Sequence, residues 1–281
     1  MPHTSRKKKN SHSNKRREIV DQDGWTRITT SSSTPLTVAP QNQTQGESGE
    51  ISTLNVIAGA SLPLPMPAAQ GSSLESMRAQ FAKIETRWRD TDLCRSVEQM
   101  LRERILTTGG GDYHIANCAL FGTGSFCGDA VHWVDRHESA YFQLAAFRTV
   151  VRTIERLQGH VPQAYAQEPY YNDLDVLFLA SLDVTKVDHP KGFELLDQNS
   201  FAYSPAAEQE VESQIVSRAP RIWLHRSFDH SLQGDKESIS KFKRDYEHAV
   251  LPELDLKNFP FHGSVMWWRG NDDTYEQVQT E

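Results

Sequence analysis

The stretch that decides the fold is His114–Phe126, HIANCALFGTGSF. Its apolar run Ile115–Phe121 is typical of a buried strand, and Gly122–Gly124 follows it as a turn. A helix-forming run, Glu138–Gln158, begins about a dozen residues further on. A strand, a glycine turn and a helix in that order are typical of the first unit of a nucleotide-binding α/β sheet.

The same alternation of strands and helices continues towards the C-terminus. Further strands are predicted at Val161–Gln167, Val184–Val187, Ser200–Tyr203, Arg221–Arg226 and, as an edge-type strand, Gly263–Arg269. Helices are predicted at Asp173–Leu182, Ala206–Ser217 and Lys236–Ala249. Strands that alternate with helices form parallel sheets through right-handed crossovers. The sequence therefore predicts an α/β, Rossmann-like fold whose mostly parallel sheet has five to six strands and helices on both faces.

Composition divides the chain into a tail and one domain. Residues 1–72 are predicted to be a disordered basic tail and a Ser/Thr/Pro-rich linker, because they lack the apolar surface that offsets chain entropy. A short island with one tryptophan, Glu18–Ile28, is predicted to turn at Asp23-Gly24. Residues 73–281 are predicted to fold, with N-terminal helices at 73–110, an α/β core at 114–227 and a C-terminal helix and strand at 228–281. The first helix is predicted to open with a capping box, Ser72-Ser73-Leu74-Glu75.

Charge and cysteine content limit the location and the partners. The 281-residue chain has a net charge of −7, and Met1–Arg17 carries +7, so the remainder carries −14. An acidic body disfavours a broad nucleic-acid surface, which leaves nucleic-acid contact or nuclear import to the basic tail. Neither a secretory signal nor a membrane-spanning run is recognised, and three cysteines fit free thiols in a reducing compartment. We therefore expect a cytoplasmic and/or nuclear protein without membrane contact.

Polar residues at the carboxyl ends of the predicted strands form the candidate site, because ligands of parallel sheets bind at that edge. The candidate ligand-binding residues are Gly122, Thr123, Gly124, Ser125, Glu168 and Ser204. Cys127 stands where a dinucleotide fingerprint has its third glycine, so the turn is either a phosphate cradle or only a tight turn. The cofactor is unknown: adenosylmethionine or another nucleotide fits the pattern, and haem fits it less well.

The remaining chemical groups leave alternatives open. Glu168 either bonds ribose hydroxyls or is a solvated carboxylate before a turn proline. The candidate catalytic residue, His225, is either an acid or base or a satisfied core histidine. His132, His137 and Glu138 match no recurrent zinc spacing, so no metal site is predicted.

Several segments in this order resemble the sensitivity-to-red-light-reduced family, in a fungal-type form. They are ALFGTGSF, YFQLAAF, the dipeptide Glu168-Pro169, and FAYSP followed by IWLHR, all within Ala116–Ser227. The resemblance implies a Rossmann-like domain without an established reaction, linked to light signalling and circadian timing in plants and elsewhere to cytoskeletal and haem-related regulation. Where the family commonly has Asp-Pro, this chain has Glu168-Pro169. Where the family commonly has Pro-His-Cys, this chain has Leu224, His225 and Arg226, which leaves the role of the histidine open.

Three functions follow from these observations. The preferred one is a regulatory protein of this family that acts through unidentified protein partners. The second is a transferase that uses adenosylmethionine or another nucleotide, held by Gly122, Gly124 and Glu168, with His225 as acid or base. The third is a retired cofactor fold that still binds a ligand as a sensor. Whether the protein is an enzyme is therefore left open.

Overall fold

A computed structural model describes residues 17–20, 26–29, 63–105, 114–129, 134–205, 208–226, 236–253 and 261–269. The chain divides into two compact units, Met1–Ala58 and Gly59–Glu281. In the first unit, strand β1 (Arg17–Val20) pairs antiparallel with strand β2 (Thr26–Thr29). These strands are not predicted from the sequence pattern, and the predicted Asp23-Gly24 turn lies outside the described residues. Most of the predicted disordered tail, 1–72, also lies outside them.

The second unit is built on a seven-stranded sheet. Its strands are β3 (Asn117–Phe121), β4 (Gln163–Gln167), β5 (Thr185–Lys186), β6 (Ser200–Ser204), β7 (Ile222–Arg226), β8 (Tyr246–Val250) and β9 (Ser264–Arg269). The strand order is β5-β4-β3-β6-β7-β9-β8. All neighbours from β5 to β7 are parallel, and β9 pairs antiparallel with both β7 and β8. The predicted mostly parallel α/β sheet is confirmed, with one strand more than expected.

Seven described α-helices surround the two sheet faces. They are α1 (Leu74–Arg89), α2 (Asp92–Met100), α3 (Val134–Gln158), α4 (Asp173–Ala180), α5 (Lys191–Glu194), α6 (Gln209–Arg218) and α7 (Lys236–Asp245). A π-helical turn, Leu101–Ile105, continues α2. The cap of α1 is Ser73, whose hydroxyl accepts from the Ser76 N–H at 3.2 Å, so the predicted Ser72–Glu75 box is displaced by one residue.

Two apolar layers show that the helices cover both faces. Cys118 and Leu120 of β3 belong to the core cluster that includes residues of α1 to α4. The alternate residues Ala119 and Phe121 belong to the second cluster, with residues of α5, α6 and α7. Side chains of a strand point alternately to opposite faces, so a strand buried on both faces is apolar throughout. The predicted helices on both faces are confirmed.

The last helix is shorter than predicted. Lys236–Ala249 was expected to be one helix, but α7 ends at Asp245 and the next five residues form β8. Tyr246 is buried and donates to the Pro220 carbonyl at 2.6 Å, and the His248 ring stacks on Trp267 at 4.4 Å. Pairing with β9 therefore overrides a local pattern that is compatible with a helix.

The described residues 63–72 precede the predicted domain start at residue 73. The segment 63–72 lies against the loop that follows β3. The Ala69 N–H donates to the Cys127 carbonyl and the Asp129 N–H donates to the Pro67 carbonyl, both at 2.7 Å. The segment therefore helps to hold the loop at Cys127–Asp129. None of the helices described is long and apolar enough to cross a membrane.

Candidate functional site

The candidate site lies where the sheet changes its direction of winding. From the central strand β3 the chain adds β4 and β5 on one side, and β6 and β7 on the other. Such a switch point leaves a crevice outside the carboxyl ends of the two central strands. Leu120 pairs with Tyr203, so Gly122 lies just beyond the strand ends, and His225 pairs with Ser204 at the same edge. The structure thus brings the predicted site residues to one edge of the sheet.

The glycine turn has a backbone that requires glycine. Gly122 has φ 72° and Gly124 has φ 73°, values that side chains with a Cβ rarely adopt. The Gly122 N–H donates to the Gln167 carbonyl at 3.4 Å. The Gly124 N–H donates to the Glu168 carboxylate at 2.9 Å, and the Thr123 hydroxyl lies 2.6 Å from the Tyr171 hydroxyl. These bonds tie the turn after β3 to the turn after β4.

Glu168 is buried and acts as an internal hydrogen-bond acceptor. Its side chain is 6% exposed, and its second oxygen accepts from the Tyr170 N–H at 3.1 Å. Burial raises the pKa of Glu168, the N–H donors of Gly124 and Tyr170 oppose that rise, and the nearby Glu208 adds to it. The expectation of a solvated carboxylate is therefore wrong. A ribose-binding role stays a prediction.

Asp175 is a central residue that the sequence analysis missed. It is fully buried on α4 and accepts hydrogen bonds from the Ser125 hydroxyl at 2.6 Å and the Phe126 N–H at 3.0 Å. It also accepts from the Asn172 N–H at 3.1 Å, which completes the capping box of α4. Burial raises the pKa of Asp175, and these donors oppose the rise. The Asn172-x-x-Asp175 spacing was the available signal, but it indicates only a helix cap.

The two carboxylates change what the glycine turn is able to bind. Outward N–H groups at such a turn form a phosphate site when a helix starts directly behind them. Here α3 begins only at Val134, and the N–H groups of Gly124 and Phe126 already donate to Glu168 and Asp175. A phosphate at this turn would have to displace one carboxylate and approach the other. The turn is therefore better suited to an uncharged or cationic group than to a phosphate.

Ser204 and His225 lie at the same edge but on the other face. The Ser204 hydroxyl accepts from the Trp223 indole N–H at 2.9 Å. The His225 ring is fully buried, stacks on Trp223 at 3.7 Å, and has its Nδ1 3.7 Å from a carboxylate oxygen of Glu212 on α6. Both side chains thus belong to the α5–α7 side, whereas Ser125 bonds Asp175 on the α4 side. The structure does not bring these two residues together with the glycine turn.

The surroundings of His225 favour the neutral ring. Burial lowers the pKa of His225, and Glu212 only partly offsets this effect. A neutral histidine packed between the rings of Trp223 and Trp267 fits the interpretation of a core residue. Its role as acid or base stays a prediction.

The loop with His132, His137 and Glu138, where no metal site is predicted, lies partly outside the described residues. His132 is among the residues outside them. The Nε2 atom of His137 lies 3.0 Å from the Gly128 carbonyl oxygen. Within the described part of the chain, no three His, Cys, Asp or Glu side chains are grouped so that they could hold a metal ion.

Comparison with the models of known protein families gives a match that spans the seven-stranded sheet. Residues 95–269 match the family model described as the SRR1 domain. The matched range runs from α2 through the seven-stranded sheet to the end of β9. A search of the curated proteins finds no match. Because the match covers more than half of the chain, the protein belongs to the SRR1 domain family.

Proposed function

We propose that this protein is a regulator of the SRR1 type that acts through protein partners, in signalling or circadian-type regulation. Membership of the family supports a regulatory role in general. The observation that carries the proposal is that the side chains of Ser125, Glu168 and Ser204, all predicted to bind a ligand, are buried and hydrogen-bonded within the protein. Ser125 is bonded to Asp175, Glu168 to the glycine turn, and Ser204 to Trp223. Such groups stabilise a binding scaffold more readily than they turn over a substrate.

The crevice at the switch point is the place where such a regulator would sense a small ligand. Glu168 and Asp175 disfavour a phosphate there, so a nucleotide phosphate fits poorly. Adenosylmethionine carries no phosphate and a cationic sulfonium, and it fits this electrostatic setting better; haem is the weaker candidate. Nucleic-acid contact belongs to the basic tail, Met1–Arg17. We place the protein in the cytoplasm and/or nucleus and propose a fungal-type origin.

The alternative function, a transferase dependent on adenosylmethionine or another nucleotide, has no observation in its favour. It requires an acid or base beside the cofactor, and the candidate His225 lies on the other face from Ser125 and Asp175. Removal of the protein distinguishes a transferase from a regulator, because only the loss of a transferase makes an unconverted substrate accumulate.

Gene replacement tests the proposal. Cells without the gene are compared with cells that carry the wild type, Glu168→Gln or the control Asp173→Ala, which alters an exposed first-turn carboxylate of α4. Transcripts and small metabolites are measured through a light–dark cycle. We expect altered transcript timing without accumulation of any one metabolite. A single metabolite that accumulates in the null and Glu168→Gln cells, but not in the Asp173→Ala cells, would show a substrate and contradict the proposal.

A further inference from the structure

Two buried polar atoms stand out in the core behind the crevice. The Tyr203 hydroxyl and the Gln143 side-chain oxygen have no hydrogen-bond partner among the residues described. Tyr203 is fully buried and Gln143 is 4% exposed. Buried polar side chains in folded proteins are nearly always hydrogen-bonded, so each exception requires an explanation, such as a water or a ligand. Both atoms here need the same explanation if they lie close together.

Helix and strand geometry brings the two atoms to one level. The Phe147 ring of α3 stacks on the Phe201 ring of β6 with centroids 6.2 Å apart. Gln143 lies one turn earlier on α3, about 5.4–6 Å along the helix. Tyr203 lies two residues further on β6, on the same face and about 6.6 Å along the strand. The step from Phe147 back to Gln143 and the step from Phe201 on to Tyr203 both lead to the carboxyl edge of the strands only if α3 runs antiparallel to β6.

The direction of α3 is fixed by its two ends. The helix starts after the turn at the carboxyl end of β3, and its last residue, Gln158, accepts from the Ile115 N–H just before β3 at 2.5 Å. It therefore runs from the carboxyl edge to the amino edge of the parallel strands. This direction places Gln143 and Tyr203 at the same level of the layer between α3 and β6, near the carboxyl edge.

This position lies next to the switch point. Tyr203 pairs with Leu120, one residue before the end of β3, and Gly122 follows directly. Tyr203 lies parallel to Phe261, with ring centroids 6.5 Å apart, and Phe261 stacks on Trp88 at 5.1 Å. A flat ring inserted from the crevice would thus meet polar atoms at its edge within aromatic surroundings. A charged group would be costly in such a buried position.

We propose that Tyr203 and Gln143 form a buried polar subsite that binds the uncharged head of a small ligand entering from the carboxyl edge of β3 and β6. Burial keeps Tyr203 protonated because it raises the pKa of the phenol. The hydroxyl donates to a ligand acceptor, and the Gln143 oxygen accepts from a ligand N–H. The head group is of a chemical class that presents an acceptor and an N–H donor side by side, as the edge of a purine base does. This inference deepens the proposed function, because it assigns contact residues to the sensing crevice.

Thermal unfolding of the full chain tests the subsite, with adenosine as the probe and adenosine monophosphate as the phosphate-bearing comparison. Tyr203→Phe and Gln143→Leu each remove a polar group with little change of volume. Tyr246→Phe is the matched control, because its hydroxyl donates to the Pro220 carbonyl on the other side of the sheet. Losing that bond should lower the melting temperature by about 2–4 °C. Tyr203→Phe loses no such bond, so without adenosine its melting temperature should equal or exceed that of the wild type.

At about one hundred times its dissociation constant, adenosine should raise the melting temperature of wild type and Tyr246→Phe by on the order of 5–10 °C. The rise should vanish in Tyr203→Phe and Gln143→Leu, and adenosine monophosphate should give a smaller rise in the wild type. The proposal is overturned if Tyr203→Phe is destabilised as much as Tyr246→Phe, which would reveal a structural partner. It is also overturned if adenosine shifts no protein, as expected if a water alone occupies the position, or if it shifts all four equally, as expected if adenosine binds elsewhere. The transcript experiment above reads regulation separately, so either proposal can fail alone.

Discussion

Removal of the Asp175 carboxylate is the sharpest test of how the glycine turn is held. In Asp175→Ala, the Ser125 hydroxyl and the N–H groups of Phe126 and Asn172 lose their shared acceptor. Asp175 is fully buried, so water does not readily replace the carboxylate. The substitution therefore breaks the link between the turn after β3 and the start of α4.

The size of the effect follows from the donors left without a partner. Each buried donor that loses its acceptor costs about 1–3 kcal/mol. The raised pKa of Asp175 shows that burying the carboxylate is itself unfavourable, which reduces the net loss. We expect a decrease in the free energy of unfolding of about 3–5 kcal/mol, a large part of the roughly 5–15 kcal/mol typical of a folded protein. This corresponds to a fall in melting temperature of about 6–20 °C.

Urea unfolding followed by tryptophan fluorescence measures this loss. Asp173→Ala is the control: it lies two residues earlier on α4, is exposed, and should cost only about 0.3–1 kcal/mol through the helix dipole. Equal destabilisation by the two substitutions would refute the reasoning, because it would mean that the carboxylate of Asp175 acts only as a helix-terminal charge.

Three further outcomes are expected. The folded state binds a proton on Glu168 at pH values where the unfolded chain has released it, because the folded pKa is raised. The free energy of unfolding of the wild type should therefore fall as pH rises through that window. In urea unfolding, the difference in this free energy between the wild type and Glu168→Gln should become smaller, and a difference that does not change with pH would contradict this. Gly192→Ala should lose about 1–3 kcal/mol, because the new Cβ would lie 2.8 Å from the Gln167 side-chain oxygen, and an unchanged melting temperature would contradict that contact. Burial raises the pKa of Cys127 to about 11, so a thiol reagent should label it only after unfolding, and rapid labelling of the native protein would show an open loop.

The central strands could be predicted because their local pattern and their environment agree. β3, β6 and β7 are short apolar runs that end at Gly122, at Ser204-Pro205 and at Arg226, and they are buried on both faces. The strand β8 could not be predicted, because its pairing with β9 joins residues that are distant in sequence. A local pattern compatible with a helix then gives the wrong answer.

The candidate site shows a different limit. Asp175 lies 50 residues from its partner Ser125, so its role depends on a contact that no spacing reveals. The sequence pattern also does not show on which face of the sheet a site residue lies. His225 alternates with Leu224, and both are fully buried, so burial on both faces removes the polar–apolar alternation that marks a half-exposed strand.

A glycine turn after the first strand of a parallel sheet is a device for presenting backbone N–H groups to an anion. The physics does not specify whether that anion is a ligand phosphate or a carboxylate of the same chain. In this protein Glu168, after β4, and Asp175, in the first turn of α4, take those positions and hold Gly124 and Phe126 just after β3. The recognition that a phosphate would have provided must then come from elsewhere at the switch point. In our proposal the uncharged groups of Tyr203 and Gln143, which lack partners among the described residues, provide it, so we expect the ligand to be recognised by a neutral ring and not by its charge.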